Sequence, residues 1–353
     1  GVTIDGHANY NNDGFDIEAQ NVLIENCTID CEDDSICGKI HDPDFVCENV
    51  EVRDCRLSSN CNFVKLGTAS LGLFSNWYVH DIQMSHARAA PLADLCWITR
   101  GIIPGVTNAI SGMSAVALEA VDGGQIENIR VQNVDIGSDV HSPIFLRVGA
   151  RKGEDGKPWY FRNVTIENLR GRSCSWIASS ITGVPSRRLG GNVVLKDIDL
   201  VLRGGISDCD WRKPVPECEK SYPESNAFGT VMPAYGFYLR HADGVRFENV
   251  RLRTDGPEPR PAIVQDDTTD VVFEDCDFQL GGDDPSAVAR RIINQFLSAV
   301  PERYLPEGFR GPAYLMEHPY GEDYHVHYAV VSLWAHAIAC ARKMGDEALV
   351  KRL

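Results

Sequence analysis

The chain has 353 residues, a formal net charge of -16 and a pI near 5.0. That length gives room for two ordinary domains, or for one elongated domain with an appendage. The negative balance, with no basic tail or stripe, argues against a nucleic-acid partner, whose phosphates need a clustered positive surface. No run of about 18 uncharged apolar residues occurs, so no membrane-spanning helix is expected, and no signal-like segment opens the chain.

One phrase recurs from the first residue onward. It reads GVTIDG at 1, NVLIENCTI at 21, NVEVRDCRL at 49, NWYVHDIQM at 76 and NIRVQNVDI at 128, then NVTIENLRG at 163, NVVLKDIDL at 192, GVRFENVRL at 244 and DVVFEDCDF at 270. Within each copy, apolar and polar residues alternate over two short runs separated by Asn, Asp or Gly, the pattern of two half-buried strands joined at a sharp bend. Self-similarity at this spacing, with strand periodicity, predicts a solenoid. Neither the 3.6 spacing of helical repeats nor the ladder of leucine-rich repeats is present. The expected fold is therefore all-β, a right-handed parallel β-helix over 1–281 whose coils stack about 4.8 Å apart. Two of the steps are 52 residues, twice 26, and imply two intermediate copies that have diverged or carry insertions. The first coil has no evident cap, which suggests that sequence precedes it.

After Leu280 the pattern changes. GGDDPSAVARRIINQFLSAV offers Asp284 as an N-cap, Pro285 at the first helical position and Val288, Ile292, Phe296, Leu297 and Val300 along one face. VHYAVVSLWAHAIACARKMG ends on Gly345 as a helix does, and DEALVKRL begins another. Residues 282–353 are expected to be an α-helical segment, the start of a second domain. Of the 12 cysteines, Cys27, Cys55 and Cys276 share one repeat position and are expected to be free core thiols. Cys209 and Cys218, flanking WRKPVPE, are the candidates for a bridge. His325 and His327 lack further ligands at zinc spacing, so no metal is assigned to them. Trp97, Trp159 and Trp211 can be sugar-stacking platforms or ordinary core and loop aromatics.

Taking the first two copies as successive coils, a step of 20 places Asp13 beneath Asp33, and the next step of 28 places Asp33 under Cys61 and Asp34 under Asn62. Asp13, Asp33, Asp34, Asn60 and Asn62 then share one outer patch. Side chains that start about 4.8 Å apart and splay outward can reach the roughly 6.5–9.5 Å between the acid and base of an inverting glycosidase. Clustered like charges also raise the pKa of one member, so that one carboxyl can act as acid while others hold water. Oxygen ligation of calcium and plain bend chemistry use the same residue types, and spacing alone leaves all three open.

NNDG at 11–14, followed by EDDSICGK at 32–39, resembles the NTDG and DDC-I-x-x-K motifs of the polygalacturonase and rhamnogalacturonase family of pectin-cleaving glycoside hydrolases, over roughly residues 1–280. The resemblance implies a right-handed parallel β-helix, inverting hydrolysis of a galacturonic-acid-containing polysaccharide, no cofactor and no metal, and an extracellular or periplasmic location. By motif, Asp33 would be the general acid, with Asp13 and Asp34 positioning and activating water. The family's Gly-His-Gly segment reads SSNCNFVKLGT here, with Asn62 in the histidine's place. The family's Arg-Ile-Lys segment has its counterpart in IFLRVGARKG at 144–153, with Arg147 the best match, then Arg151 or Lys152. Lys39, Asn60, Asn62, Lys65 and Arg147 are thus the expected substrate-binding residues, the cations meeting substrate carboxylates in an otherwise acidic protein. Rhamnogalacturonan is slightly favoured over homogalacturonan because of Asn62 and the tail. That tail, from Val326 to Leu353, resembles an early helix hairpin of the unsaturated rhamnogalacturonyl hydrolases, which fold as (α/α)6 barrels. A β-helix that only binds an acidic glycan is the alternative from another class.

Overall fold

A computed structural model describes residues 1–8, 11–88, 112–152, 160–206 and 211–278. The chain divides into two units, Gly1–Gly282 and Asp283–Leu353. The second lies outside the described residues, as do the helices expected there and Cys209, Trp97, Trp159, His325 and His327.

The described residues form one 18-stranded sheet with no helix. Its strands are β1 (Thr3–Gly6), β2 (Phe15–Ile17), β3 (Val22–Glu25), β4 (Thr28–Cys31), β5 (Ile36–Ile40) and β6 (Val46–Ser59). They continue as β7 (Asn62–Ser70), β8 (Leu73–His86), β9 (Ser114–Ala120), β10 (Gln125–Val140), β11 (Ile144–Val148) and β12 (Phe161–Ser173). The last six are β13 (Ser179–Thr182), β14 (Leu189–Leu202), β15 (Phe237–Thr254), β16 (Ile263–Thr269), β17 (Val272–Glu274) and β18 (Asp277–Phe278). Every ladder is parallel and joins a strand to its counterpart about one repeat later, an arrangement of stacked coils consistent with a β-helix solenoid.

The coils have three faces. One carries the first run of the repeat, with Ile24, Val52, Val79, Val131, Ile166, Leu195 and Phe247 stacked inward and buried. The second carries the run after the bend. The third is built by β2, β5, β7, β9, β11, β13, the first part of β15, and β16.

The bends explain the Asn, Asp or Gly between the runs. Asn21, Asn49, Asn76, Asn128, Asn163 and Asn192 all have φ between 52° and 69°, the left-handed region that asparagine tolerates better than other side-chain-bearing residues. Each amide from Asn49 to Asn192 donates Nδ2–H to the Oδ1 of the asparagine one coil before it, at 3.1–3.5 Å. A second line at Asn26, Asp54, Asp81, Asn133, Asn168, Asp197, Asn249 and Asp275 repeats the geometry. Two lines of left-handed residues turn the chain at the same place in each coil and so set the stacking.

Two expectations about register are corrected. The opening phrase does not align with NVLIEN: Thr3 pairs with Thr28, and Phe15 with Ile36, so the first step is 25 and then 21. The 52-residue steps each span a single coil, because Leu73 pairs directly with Gln125, and Val193 with Val245. The extra residues are inserted at one corner of the coil, between β8 and β9 and between β14 and β15. All nine described cysteines are free, Cys27, Cys55, Cys218 and Cys276 among them.

Candidate functional site

The corner that carries the long excursions also carries the aspartates. Asp13 lies between β1 and β2, Asp33 and Asp34 between β4 and β5, and Asn60 and Cys61 between β6 and β7. Backbone bonds lock these turns together: Gly14 N–H donates to the Asp34 carbonyl (2.8 Å), Asp33 N–H to Asn12 (3.2 Å) and Ser35 N–H to Asn62 (2.9 Å). With Phe15 opposite Ile36, Asp13 registers with Asp34 instead of Asp33, and the three carboxylates lie on neighbouring turns.

Their surroundings differ. Asp34 is 4% exposed; its Oδ1 accepts from the Asn62 backbone N–H (3.0 Å) and from Asn62 Nδ2–H (2.9 Å), and its Oδ2 meets Lys65 Nζ at 3.1 Å. Burial alone would push Asp34 upward, but the Lys65 ammonium and the two Asn62 donors outweigh it and hold the carboxylate below its ordinary range. Asp33 is half-buried, and its Oδ1 accepts only the Asp34 N–H (2.9 Å) among the bonds resolved for that atom. Burial, and next the Asp34 charge, push its pKa up. Asp13 is half-buried with Oδ2 2.8 Å from Lys39 Nζ. Burial, reinforced by the charges of Asp33 and Asp34 against the pull of Lys39, raises it from 3.8 to about 7.

Lys65 is buried between two carboxylates, Asp34 and, at 3.0 Å, Glu224. Glu224 comes from the excursion between β14 and β15 and also accepts from Asn62 Nδ2–H (3.1 Å). Burial pushes Glu224 upward. Glu119, on β9, is wholly buried, and neither carboxylate oxygen has a hydrogen-bond partner among the described residues; burial drives its pKa well up. Nearby, Tyr222 stands 56% exposed, with its hydroxyl accepting from Thr68 Oγ1 (2.8 Å) and its ring beside Lys65 and Arg151.

The expected binding residues divide. Lys39 reaches the surface between Asp13 and Asp16, which it meets at 2.8 and 2.7 Å. Asn62 and Lys65 lie beneath it and hold Asp34. Asn60 is buried and donates to Glu32 Oε2 (2.9 Å). Arg147 is 3% exposed; it donates to Thr182 Oγ1 and to the carbonyls of Gly183, Glu217 and Cys218, at 2.8–3.3 Å. A guanidinium spent on these acceptors fastens residues 217–218 to β11 and β13, where the sequence suggested a substrate contact. Arg151 and Lys152 pair with the buried Asp122.

Oxygen or sulfur atoms of Asp33, Asp34 and Cys61 lie within 4.8 Å of one another, as do those of Asp13, Asp16 and Cys37. Both thiols are held far above their ordinary pKa by burial, which keeps them protonated and poor ligands. A hard cation would be left with two carboxylates in either group.

Sequence reasoning missed Glu224, Glu119 and Tyr222. Glu119 lies in a copy whose spacing is masked by the preceding excursion, and Glu224 and Tyr222 lie in an irregular stretch with no repeat phase. No family model, curated protein or solved structure matches the chain.

Proposed function

We propose that the chain is a glycoside hydrolase that cleaves a pectic, galacturonic-acid-containing polysaccharide with inversion, on a right-handed parallel β-helix that continues into an α-helical second domain. The observation that carries this reading is the opposed titration of adjacent carboxyls, Asp33 pushed up and Asp34 held down, beside a third, Asp13, at about 7. Such a separation lets one carboxyl keep its proton while others stay charged, as acid and base catalysis at one bond requires. In this reading Asp33 gives its proton to the glycosidic oxygen as the bond to the anomeric carbon breaks. Asp13, in the fraction that is ionised near pH 7 beside Lys39, takes a proton from the water whose oxygen bonds that carbon from the opposite face. Asp34, with both oxygens engaged, supplies a fixed charge that adds to burial in favouring the protonated form of Asp33. Of Lys39, Lys65 and Arg147, Lys39 alone reaches the surface to meet a uronate. Rhamnogalacturonan is slightly favoured over homogalacturonan because Asn62 stands in the family histidine's place and because of the tail.

Mass spectrometry of products after incubation with each polymer tests the proposal, with Asp33→Asn as control. Saturated oligosaccharides formed only by the wild type support it. A second reading, a non-catalytic module that binds acidic glycans, draws on the burial of Asp34 away from solvent; it calls for binding by both proteins and products from neither.

A further inference from the structure

Strand alternation on the third face should leave one row of side chains pointing outward, as an open groove beside the aspartates. Val116, Leu118, Ile144, Leu146 and Leu239 do point into the main core. Their alternates, Ala117, Phe145 and Tyr238, point outward yet are at most 2% exposed, and they form a separate apolar cluster with Val215, Phe228 and Met232. The latter three belong to the excursion between β14 and β15, which thus lies across the outside of the third face. Polar contacts seal it at both edges: Arg147 holds the Glu217 and Cys218 carbonyls, Ala150 N–H donates to the Glu219 carbonyl (2.9 Å), and Lys65 holds Glu224. The covered strip runs from β9 to β16, four coil spacings, or roughly 19 Å at about 4.8 Å each. It begins one coil beyond Lys65 and two beyond Asp34, and Tyr222 and Glu224 form its edge over the site.

Resting on the function proposed above, we infer that this segment is a wall that closes the groove on one side of the carboxylates, so that the enzyme acts on chain ends and releases a short saccharide of fixed length. A polymer passing through the site would have to occupy the strip already filled by Phe228, Met232 and Val215. In this inference an end of the chain stops at Tyr222 and Glu224 and reaches the aspartates without crossing the strip. The wall is held by a buried apolar cluster and buried ionic contacts, so opening it would expose charges as well as apolar surface.

The test follows products and binding in parallel, using the full chain. Wild type is incubated with long homogalacturonan and rhamnogalacturonan, and products are sized from the earliest time points while viscosity is followed. The affinity of Asp33→Asn is measured for oligosaccharides of increasing length. A single short product with viscosity nearly unchanged, and an affinity that stops rising once the oligosaccharide exceeds that length, are expected. In Phe228→Ser, which loosens the wall, longer products should appear; the binding series on Asp33→Asn stands if this variant does not fold. An initial ladder of product sizes, an early fall in viscosity, or an affinity that keeps rising with length would overturn the wall while leaving hydrolysis intact. Neither product nor binding with any of these glycans would overturn the pectic reading, and the chain-end inference with it.

Discussion

Replacing Asp13 by Asn separates the electrostatics of the carboxylate corner from its packing. In the folded chain Asp13 holds its proton to about pH 7, against an ordinary value of 3.8. Between those values the native state binds a proton that the unfolded chain has lost, so stability falls as pH rises through the window. About three units at 1.36 kcal/mol each set a ceiling of ~4 kcal/mol, and because the side chain is 12% exposed and shares its charge with Lys39 we expect ~2–4 kcal/mol. Asparagine has nearly the same shape and no charge to lose, and Lys39 keeps its contact with Asp16 at 2.7 Å. The stability of Asp13→Asn relative to wild type should therefore improve by that amount between about pH 4 and about pH 8, most of it before pH 7. Urea unfolding at a series of pH values measures this directly. If the two stability curves run parallel across the window, Asp13 ionises normally and the coupling argued for Asp13, Asp33 and Asp34 is wrong.

The remaining predictions concern the rest of the site and the ladders. Asp33→Asn should lower turnover by at least about 10²-fold with binding of acidic oligosaccharides kept, as read by initial rates and calorimetry; loss of both together would mean a role in binding alone. The acid limb of the wild-type kcat/KM profile should have its midpoint near pH 7, where Asp13 loses its proton, with a fall at higher pH once Asp33 loses its own; an acid limb already complete by pH 5 would contradict the use of Asp13 as base. Lys65→Met leaves Asp34 and Glu224 facing each other without their cation and should cost about 3–5 kcal/mol, recovered in part at acid pH where those carboxyls are neutralised. Asn128→Ala, at φ 56° and bonded to Asn76 and Asn163, should cost ~2 kcal/mol in urea unfolding, while Asn128→Gly costs about half as much; equal costs would mean that the left-handed backbone is not what asparagine supplies.

Much of the coil architecture is legible because it is built from local rules repeated. Alternation names the inward residues, and the Asn or Asp between the runs marks the two left-handed turns of each coil. Phase fails where the chain leaves the coil. The opening phrase GVTIDG reads like a first run, but Thr3 pairs with Thr28 and so it occupies the second-run position. Both kinds of position carry the same apolar-polar alternation, and only the distance to the following turn tells them apart. The 52-residue steps mislead for a related reason: residues inserted between two strands of one coil add length without adding a rung, and twice 26 coincides with two coils.

The carboxylate corner was legible in part because its members follow one another through the first coils, where stacking turns a short sequence separation into adjacency. What the sequence could not give is the state of those groups. Asp33 and Asp34 are chemically identical neighbours, and their opposite shifts depend on burial, Lys65 and Asn62, the last two held in turn by a Glu224 that lies 162 residues beyond Asn62. The same excursion that delivers Glu224 buries Arg147 and Lys65, so two side chains that charge complementarity assigns to a polyanionic ligand are instead consumed in holding the excursion down. Of the three expected cations, only Lys39 still reaches the surface, and it does so paired with Asp13 and Asp16. In the proposed reading, closure falls to the excursion and recognition to this surface cation beside the aspartates, a division of labour that chain-end cleavage would use.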